Sequence, residues 1–377
     1  MNNRVLLVAG EASGDLHGSG VVRALKELRP ELDLFGIGGD RMKREGMDVV
    51  VHIARMSFMG FAEVLKNLGT IRQVMRMMEG LLETRRPDVV VLIDYPGFNL
   101  RFAKRAARKG IPVLYYISPQ VWAWHRSRVR KMKGSVRSMK VVFPFEVDIY
   151  RNEGMDVEFV GHPIVERIGC RTSREEFFAL HGLDPRKKLL ALLPGSRLQE
   201  IQHILPVMLE AARLLSDNGH VQVALGVAPN LGVSPILPHL KEGSGVTLVE
   251  NATYDLMAHA DAAVVTSGTA TLETGWFGTP MVVVYKTSPV TFFIGRLLVS
   301  VPYIGLVNIV AGKKVAPELI QRELTAQNLV KTVQPLLNDG VSGAAMRTEL
   351  SVIRERLGKP GASRLVAKEI LKAADKG

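Results

Sequence analysis

Cys170 is the chain's single cysteine among 377 residues. That scarcity excludes an internal disulfide framework and any zinc or iron–sulfur centre built from several cysteines, and it predicts a reducing, cytoplasmic setting. No Asp-x-Asp occurs, and the nine histidines never fall at His-x-His or His-x-x-x-His spacing. Neither a metal-dependent diphosphate site nor a helical zinc pair is indicated, so no metal and no cofactor is expected. Gly-Lys-Ser/Thr is absent, which removes the P-loop. There is no repeat at solenoid periods and no low-complexity tract. A long uninterrupted apolar run is also missing. Residues 287–312 carry only one charge, Arg296, but Pro289, Gly295, Pro302, Gly305 and Asn308 interrupt them, which argues against a spanning helix.

What is present is a 47% hydrophobic chain long enough for two packed cores. Its 49 Lys and Arg against 37 Asp and Glu give +12, which calls for an acidic partner: nucleic acid, an anionic lipid surface or a phosphorylated substrate. At the N-terminus, residues 5–9 are apolar but meet Gly10, Glu11 and Asp15 at once, which predicts a buried first strand rather than a signal peptide.

Strand-length apolar runs alternate with helical patterns. In the first half the strands are expected at 5–9, 89–93, 113–117 and 141–143, with helices at 16–28 and 98–108. After Phe159-Val160-Gly161-His162-Pro163 and a polar stretch, a second series places strands at 189–193, 221–225, 262–265 and 281–285, with helices at 201–215 and 272–277. Continuous apolar strands are what a parallel sheet covered on both faces requires. The expected architecture is α/β, with two doubly wound Rossmann-like domains at 1–165 and 166–345. Two terminal helical patterns, 346–357 and 364–374, are split by Gly358-Lys359-Pro360-Gly361, with Ser363 as the expected N-cap; they could pack on either domain.

Several segments carry polar groups to the carboxyl ends of strands, where open α/β sheets bind ligands. Gly10-Glu11-Ala12-Ser13-Gly14-Asp15 follows the first strand; it reads either as an anion-ready turn or as glycines that permit close packing. Asp94 ends the strand at 89–93, and is either a general base or a carboxylate satisfying turn amides. Between Asp94 and Glu146 lie 12 Lys or Arg and no acid, with Tyr115, Tyr116, Trp122, Trp124 and His125 interleaved. This suits nucleic acid, an anionic headgroup or sugar phosphate, or simply solvated helix faces. An amphipathic stripe over 56–82, rich in methionine, suits acyl chains or a core.

In the second half, Pro194-Gly195-Ser196-Arg197 joins a strand to a helix, setting a guanidinium beside a helix N-terminus, as a diphosphate would need. A second such turn, Thr266-Ser267-Gly268-Thr269, carries Glu273 one helical turn inside, where a carboxylate can accept both ribose hydroxyls. Each turn alone could be structural, but two on one sheet converge on one crevice.

Together the motifs resemble the lipid-A-disaccharide synthases, inverting glycosyltransferases of the two-domain GT-B type. The matching pieces are Val8-Ala9-Gly10-Glu11-Ala12-Ser13-Gly14-Asp15, Ile93-Asp94-Tyr95-Pro96-Gly97-Phe98-Asn99, Tyr116-Ile117-Ser118-Pro119-Gln120-Val121-Trp122-Ala123-Trp124, Phe159-Val160-Gly161-His162-Pro163, Leu193-Pro194-Gly195-Ser196-Arg197, Ser267-Gly268-Thr269-Ala270-Thr271-Leu272-Glu273 and Asn308-Ile309-Val310-Ala311-Gly312. They are collinear with the family over nearly the whole chain. Tyr95 and Gly97 depart from the small residue and second aspartate expected there, which leaves that loop without a second carboxylate.

The resemblance implies transfer of 2,3-diacylglucosamine from its UDP derivative to the 6-hydroxyl of 2,3-diacylglucosamine 1-phosphate, giving lipid A disaccharide 1-phosphate and UDP. It implies Asp94 as base and Glu11, Ser13, Gly14 and Asp15 on the acceptor side. Gly195, Ser196, Arg197, Ser267, Gly268, Thr269, Glu273 and Asn308 would hold UDP. It further implies domains facing across a cleft, a hinge near 161–165, peripheral contact with the inner membrane and no nucleic-acid partner; a homo-oligomer is left open. A UDP-sugar epimerase or a soluble-acceptor glycosyltransferase is the enzymatic rival, and a nucleic-acid binder using 101–140 is the rival of another class.

Overall fold

The structure, a computed structural model, describes residues 3–56, 67–122, 128–241, 243–288, 292, 301–338 and 340–375. The chain divides into two compact units, residues 1–166 with 357–377, and residues 167–356. The two terminal helical patterns thus part company, the earlier one lying in the second unit up to Arg356 and the later one in the first.

In the first unit seven parallel strands are ordered β3-β2-β1-β4-β5-β6-β7. They are β1 (Arg4–Ala9), β2 (Asp33–Gly38), β3 (Asp48–His52), β4 (Val89–Ile93), β5 (Val113–Tyr116), β6 (Ser138–Val141) and β7 (Val157–Phe159). Helices α1 (Ala12–Leu28), α2 (Asp40–Arg44), α3 (Leu68–Thr84), α4 (Pro96–Arg108), α5 (Arg128–Lys133) and α6 (Glu146–Arg151) connect them. Both β1 and β4 are wholly buried from their second residue on, as their unbroken aliphatic sequence requires of central strands covered on two faces.

Two expectations shift here. The glycine-rich segment is not a loop leading to a helix at residue 16; it is already helix from Ala12. Its glycines serve close approach: a Cβ on Gly18 would meet Met42 Sδ at 2.7 Å, and one on Gly14 would meet the Ala9 Cβ at 3.3 Å. The strand expected at 141–143 lies instead at Ser138–Val141. Lys140 disguised it, because a charged residue here is only 2% exposed, with its ammonium between Glu158 (2.7 Å) and Glu369 (3.2 Å).

The second unit repeats the plan with order β10-β9-β8-β11-β12-β13, again all parallel. Its strands are β8 (Lys188–Leu193), β9 (Val221–Val227), β10 (Val246–Glu250), β11 (Ala262–Thr266), β12 (Met281–Tyr285) and β13 (Glu318–Ile320). Its helices are α7 (Arg174–Leu180), α8 (Leu198–Ser216), α9 (Thr253–His259), α10 (Thr269–Phe277), α11 (Leu306–Ala311), α12 (Ala326–Asn338) and α13 (Gly340–Leu357). Arg354 Nε on α13 donates to the Trp276 carbonyl at 2.6 Å, joining it to α10.

The last helix, α14 (Ala362–Ala374), packs on α1 of the first unit. Gly361, not Ser363, is its N-cap; Ser363 sits inside the first turn and gives its N–H (2.8 Å) and hydroxyl (2.6 Å) to Glu166.

Of the amphipathic stripe, Met56, Val74, Met75, Met78 and Leu82 are core residues packed beneath the first sheet. Residues 57–66 of it, with Phe61, Val64 and Leu65, lie outside the described residues, as do Trp124 and His125. Among the described residues no helix is long and apolar enough to cross a membrane.

Candidate active site

In the first unit, polar residues gather where β1, β4 and β5 end, beside the point at which strand order reverses. The backbone there is strained. Asp94 (φ +46°), Tyr95 (φ +48°) and Ile117 (φ +62°) are all left-handed without being glycine, and for β-branched Ile117 this is a marked outlier. Such residues cost about 1–3 kcal/mol each and persist only where surrounding contacts hold them. Here the Asn99 amide donates to the carbonyls of Ile93 (3.2 Å) and Asp94 (2.7 Å), and the Tyr95 hydroxyl donates to the Met56 carbonyl at 2.9 Å. Gly10 lies directly under the Tyr95 ring, which a side chain at that position would overlap.

The strained turn carries the Asp94 carboxylate. Burial pushes its pKa up from 3.8 to about 6, the nearby Glu11 carboxylate adds to the rise, and the Tyr95 N–H partly offsets it. A carboxylate so placed is ionised near neutral pH yet basic enough to accept a hydroxyl proton. Glu11 and Ser13 are exposed at the start of α1.

Asp15, expected in the same loop, is differently engaged. Its carboxylate accepts the N–H groups of Gly39 (2.7 Å), Met42 (3.1 Å) and Arg41 (3.2 Å), so it caps α2 and is 4% exposed.

Glu146 went unnoticed in the sequence. It is 1% exposed and accepts from Ser118 Oγ (2.6 Å), Trp122 Nε1 (3.2 Å) and the N–H groups of Val142 (3.2 Å) and Phe143 (3.1 Å). Burial pushes it up to about 7 against the pull of those four donors. It thereby ties the segment after β5, including the strained Ile117, to the end of β6. The available signal was that Glu146 is the first acid after a long stretch without one. His162 is likewise internal: Ile164 N–H donates to its Nδ1 at 3.2 Å, and burial, with His17 nearby, lowers its pKa to about 3, so it stays neutral.

In the second unit, the turn after β8 closes on itself. Glu200 of α8 reaches back to accept the N–H groups of Ser196 (2.9 Å) and Arg197 (3.2 Å), and its other oxygen accepts from the Arg197 guanidinium at 3.0 Å. Gly195 (φ +109°) must be glycine because any side chain would overlap that carboxylate. Two of the amides expected to meet an anion are therefore spent internally. The Arg197 side chain stays 66% exposed, with its guanidinium paired to Glu200.

After β11, Ser267 donates to the Ile304 carbonyl at 2.9 Å, Gly268 is the N-cap of α10, and Thr269 is exposed at its first position. Glu273 accepts from the Tyr254 hydroxyl at 2.9 Å. Its pKa is raised by burial, against opposing pulls from that hydroxyl and from Arg167.

Asn308 is fully buried, and its amide is saturated. The nitrogen donates to the Ala316 carbonyl (2.8 Å) and Glu318 (2.9 Å), while the oxygen accepts from the N–H groups of Val315 (2.8 Å) and Ala316 (2.9 Å). This side chain fastens α11 to the segment before β13 and has no donor left for a ligand.

Solved structures that match over nearly the full length include UDP-GlcNAc 2-epimerase from Neisseria meningitidis bound to UDP-GlcNAc, at TM-score 0.65 and 14% identity, covering 98% of this chain and 100% of that one. The calicheamicin glycosyltransferase CalG4 matches at TM-score 0.61 and 17% identity, covering 98% of each chain. They share the GT-B fold of two parallel-sheet α/β domains. Closer in sequence are the lipid-A-disaccharide synthases of Syntrophus aciditrophicus, 46% identical over 97% of both chains, and of Geobacter metallireducens, 45% identical over 100% of this chain and 98% of that one. The family model described as lipid-A-disaccharide synthetase matches residues 5–369, and the chain belongs to that family of glycosyltransferases of lipid A biosynthesis.

Proposed function

We propose that the protein moves 2,3-diacylglucosamine from its UDP derivative to the 6-hydroxyl of 2,3-diacylglucosamine 1-phosphate, with inversion to a β-1,6 linkage. The observation that carries the reading is Asp94, a carboxylate at the end of β4 whose pKa of about 6 suits a general base. The acceptor oxygen attacks the anomeric carbon as the bond to UDP breaks. Its proton passes to Asp94, and the electron pair of the broken bond goes to the diphosphate. Inversion in one displacement requires attack on the face opposite the departing UDP.

The diphosphate charge is met by Arg197 and by the N-terminus of α10, to which Ser267, Gly268 and Thr269 lead. Glu273, steadied by Tyr254, accepts ribose hydroxyls. Gly195, Ser196 and Asn308 act by shaping the surrounding backbone, and Asp15 and Gly14 do the same for the acceptor side; Glu11 and Ser13 present polar atoms there. Peripheral contact with an anionic membrane is supported by exposed cations on and after α4, among them Arg101, Lys104, Arg108, Lys131 and Lys133. Ile71, Met75, Met78 and Leu82 of the amphipathic stripe serve the core and are not offered for acyl contact.

Asp94→Asn is expected to lower turnover while UDP affinity holds, and Arg197→Ala to lower both. Wild-type turnover in Asp94→Asn would remove Asp94 as the base.

A further inference from the structure

Where the chain enters the second unit, residues 167–173 have no regular structure and are held by α9. Asp255, 3% exposed, accepts the N–H groups of Arg171 (2.8 Å) and Thr172 (2.8 Å) and the Thr172 hydroxyl (2.7 Å) on one oxygen. His259 lies one helical turn further on the same face of α9. The anchored segment brings Cys170 to both. Its sulfur is 3.1 Å from His259 Nε2, 3.4 Å from Asp255 Oδ1 and 3.1 Å from the Thr172 carbonyl oxygen, which itself lies 2.8 Å from His259 Nε2.

This arrangement is short of hydrogens. The thiol supplies one, and Nε2 supplies at most one, yet four close contacts join sulfur, nitrogen and two oxygens. Two of those contacts therefore have no hydrogen of their own and are met only by sharing one. Ligand atoms converging on one point produce such crowding, and a cation at that point relieves it. The thiol would lose its proton to solvent, the imidazole hydrogen would move to Nδ1, and all donors would face a positive charge.

Among the described residues, Cys170, Asp255 and His259 each offer one ligand atom, all within 4.8 Å of one another. At zinc–sulfur and zinc–nitrogen lengths of about 2.3 and 2.0 Å, tetrahedral geometry sets the two atoms roughly 3.5 Å apart. The sulfur must therefore retreat by about 0.4 Å, which an exposed residue on an irregular segment can do. A sulfur, nitrogen and oxygen set selects a borderline-soft ion over magnesium or calcium.

We propose that Cys170, Asp255 and His259, with the Thr172 carbonyl, bind one thiophilic divalent cation of the zinc type. The ion would clamp the start of the second unit to α9, the helix whose Tyr254 steadies Glu273. It is structural and takes no part in sugar transfer.

The test is titration of untagged, chelator-stripped full-length protein with Co²⁺, followed by displacement with Zn²⁺. One Co²⁺ per chain is expected, with tetrahedral ligand-field bands and a near-ultraviolet thiolate charge-transfer band. Cys170→Ser should abolish that band, and His259→Gln should weaken binding at least about 10-fold. Asp255 keeps its anchoring bonds in both variants, and circular dichroism would check that they fold. Binding without a thiolate band, binding unaltered in Cys170→Ser, or binding no tighter than in a His259→Gln, Cys170→Ser double variant would overturn the proposal.

Discussion

Replacing Asp94 with Asn should make the protein slower and more stable at once. Asparagine is among the few residues that tolerate the left-handed backbone at this position, so the turn should survive. The raised pKa of Asp94 means that the folded protein holds this proton more tightly than the unfolded chain does. Between about pH 3.8 and 6 the folded state loses stability as the carboxylate ionises, and above 6 the full penalty is present. A rise of about 2 units at about 1.4 kcal/mol each makes that penalty roughly 3 kcal/mol at most.

Asparagine does not titrate. The variant's advantage in urea unfolding should therefore be near zero at about pH 4 and grow to as much as ~3 kcal/mol at about pH 8. Glu146 ionises in the same range, but equally in both proteins, so it largely cancels from the difference. Turnover should fall by about 10²- to 10⁴-fold, the usual contribution of a positioned base, and wild-type kcat/KM should decline below about pH 6 with unit slope. A variant less stable than wild type at every pH, or one within a few-fold of wild-type turnover, would show that Asp94 is neither a destabilising buried carboxylate nor the base.

Glu146→Ala leaves four buried donors without their acceptor and should cost about 3 kcal/mol or more in urea unfolding. Asn308→Ala and Arg197→Ala should behave in opposite ways. The first, which strips two buried N–H groups of their acceptor, lowers the Tm, whereas the second leaves the Tm unchanged and raises the UDP Kd by about 10- to 100-fold in calorimetry. Gly10→Ala forces the Tyr95 ring off its seat and should cost about 1–3 kcal/mol, with turnover falling along with the Tm because Asp94 shares the displaced turn.

The central strands were legible because nothing but aliphatic side chains fits between two covered faces, as at residues 5–9 and 89–93. The edge strands were not, nor was β2, one strand in from the edge, where two glycines interrupt the pattern and Gly36 sits where a side chain would overlap the Leu7 carbonyl of β1. Polar residues were harder still, because residue type does not tell which way a side chain turns. Asp15 and Asn308 have the chemistry of ligand contacts but direct it at backbone amides, and Glu200 takes up N–H groups that the motif alone offers to a phosphate. Asp94 was legible in place, at a strand end, while its basicity depends on burial and on Glu11, which only the folded chain brings near.

The most direct measurement is incubation of the purified protein with UDP-2,3-diacylglucosamine and 2,3-diacylglucosamine 1-phosphate in mild detergent, followed by mass spectrometry. Lipid A disaccharide 1-phosphate and UDP should form in equal amounts from the wild-type protein, without added magnesium, and neither from Asp94→Ala. UDP bound or released with no disaccharide formed, or an epimerised donor sugar in its place, would rule out Asp94-assisted transfer to the acceptor hydroxyl.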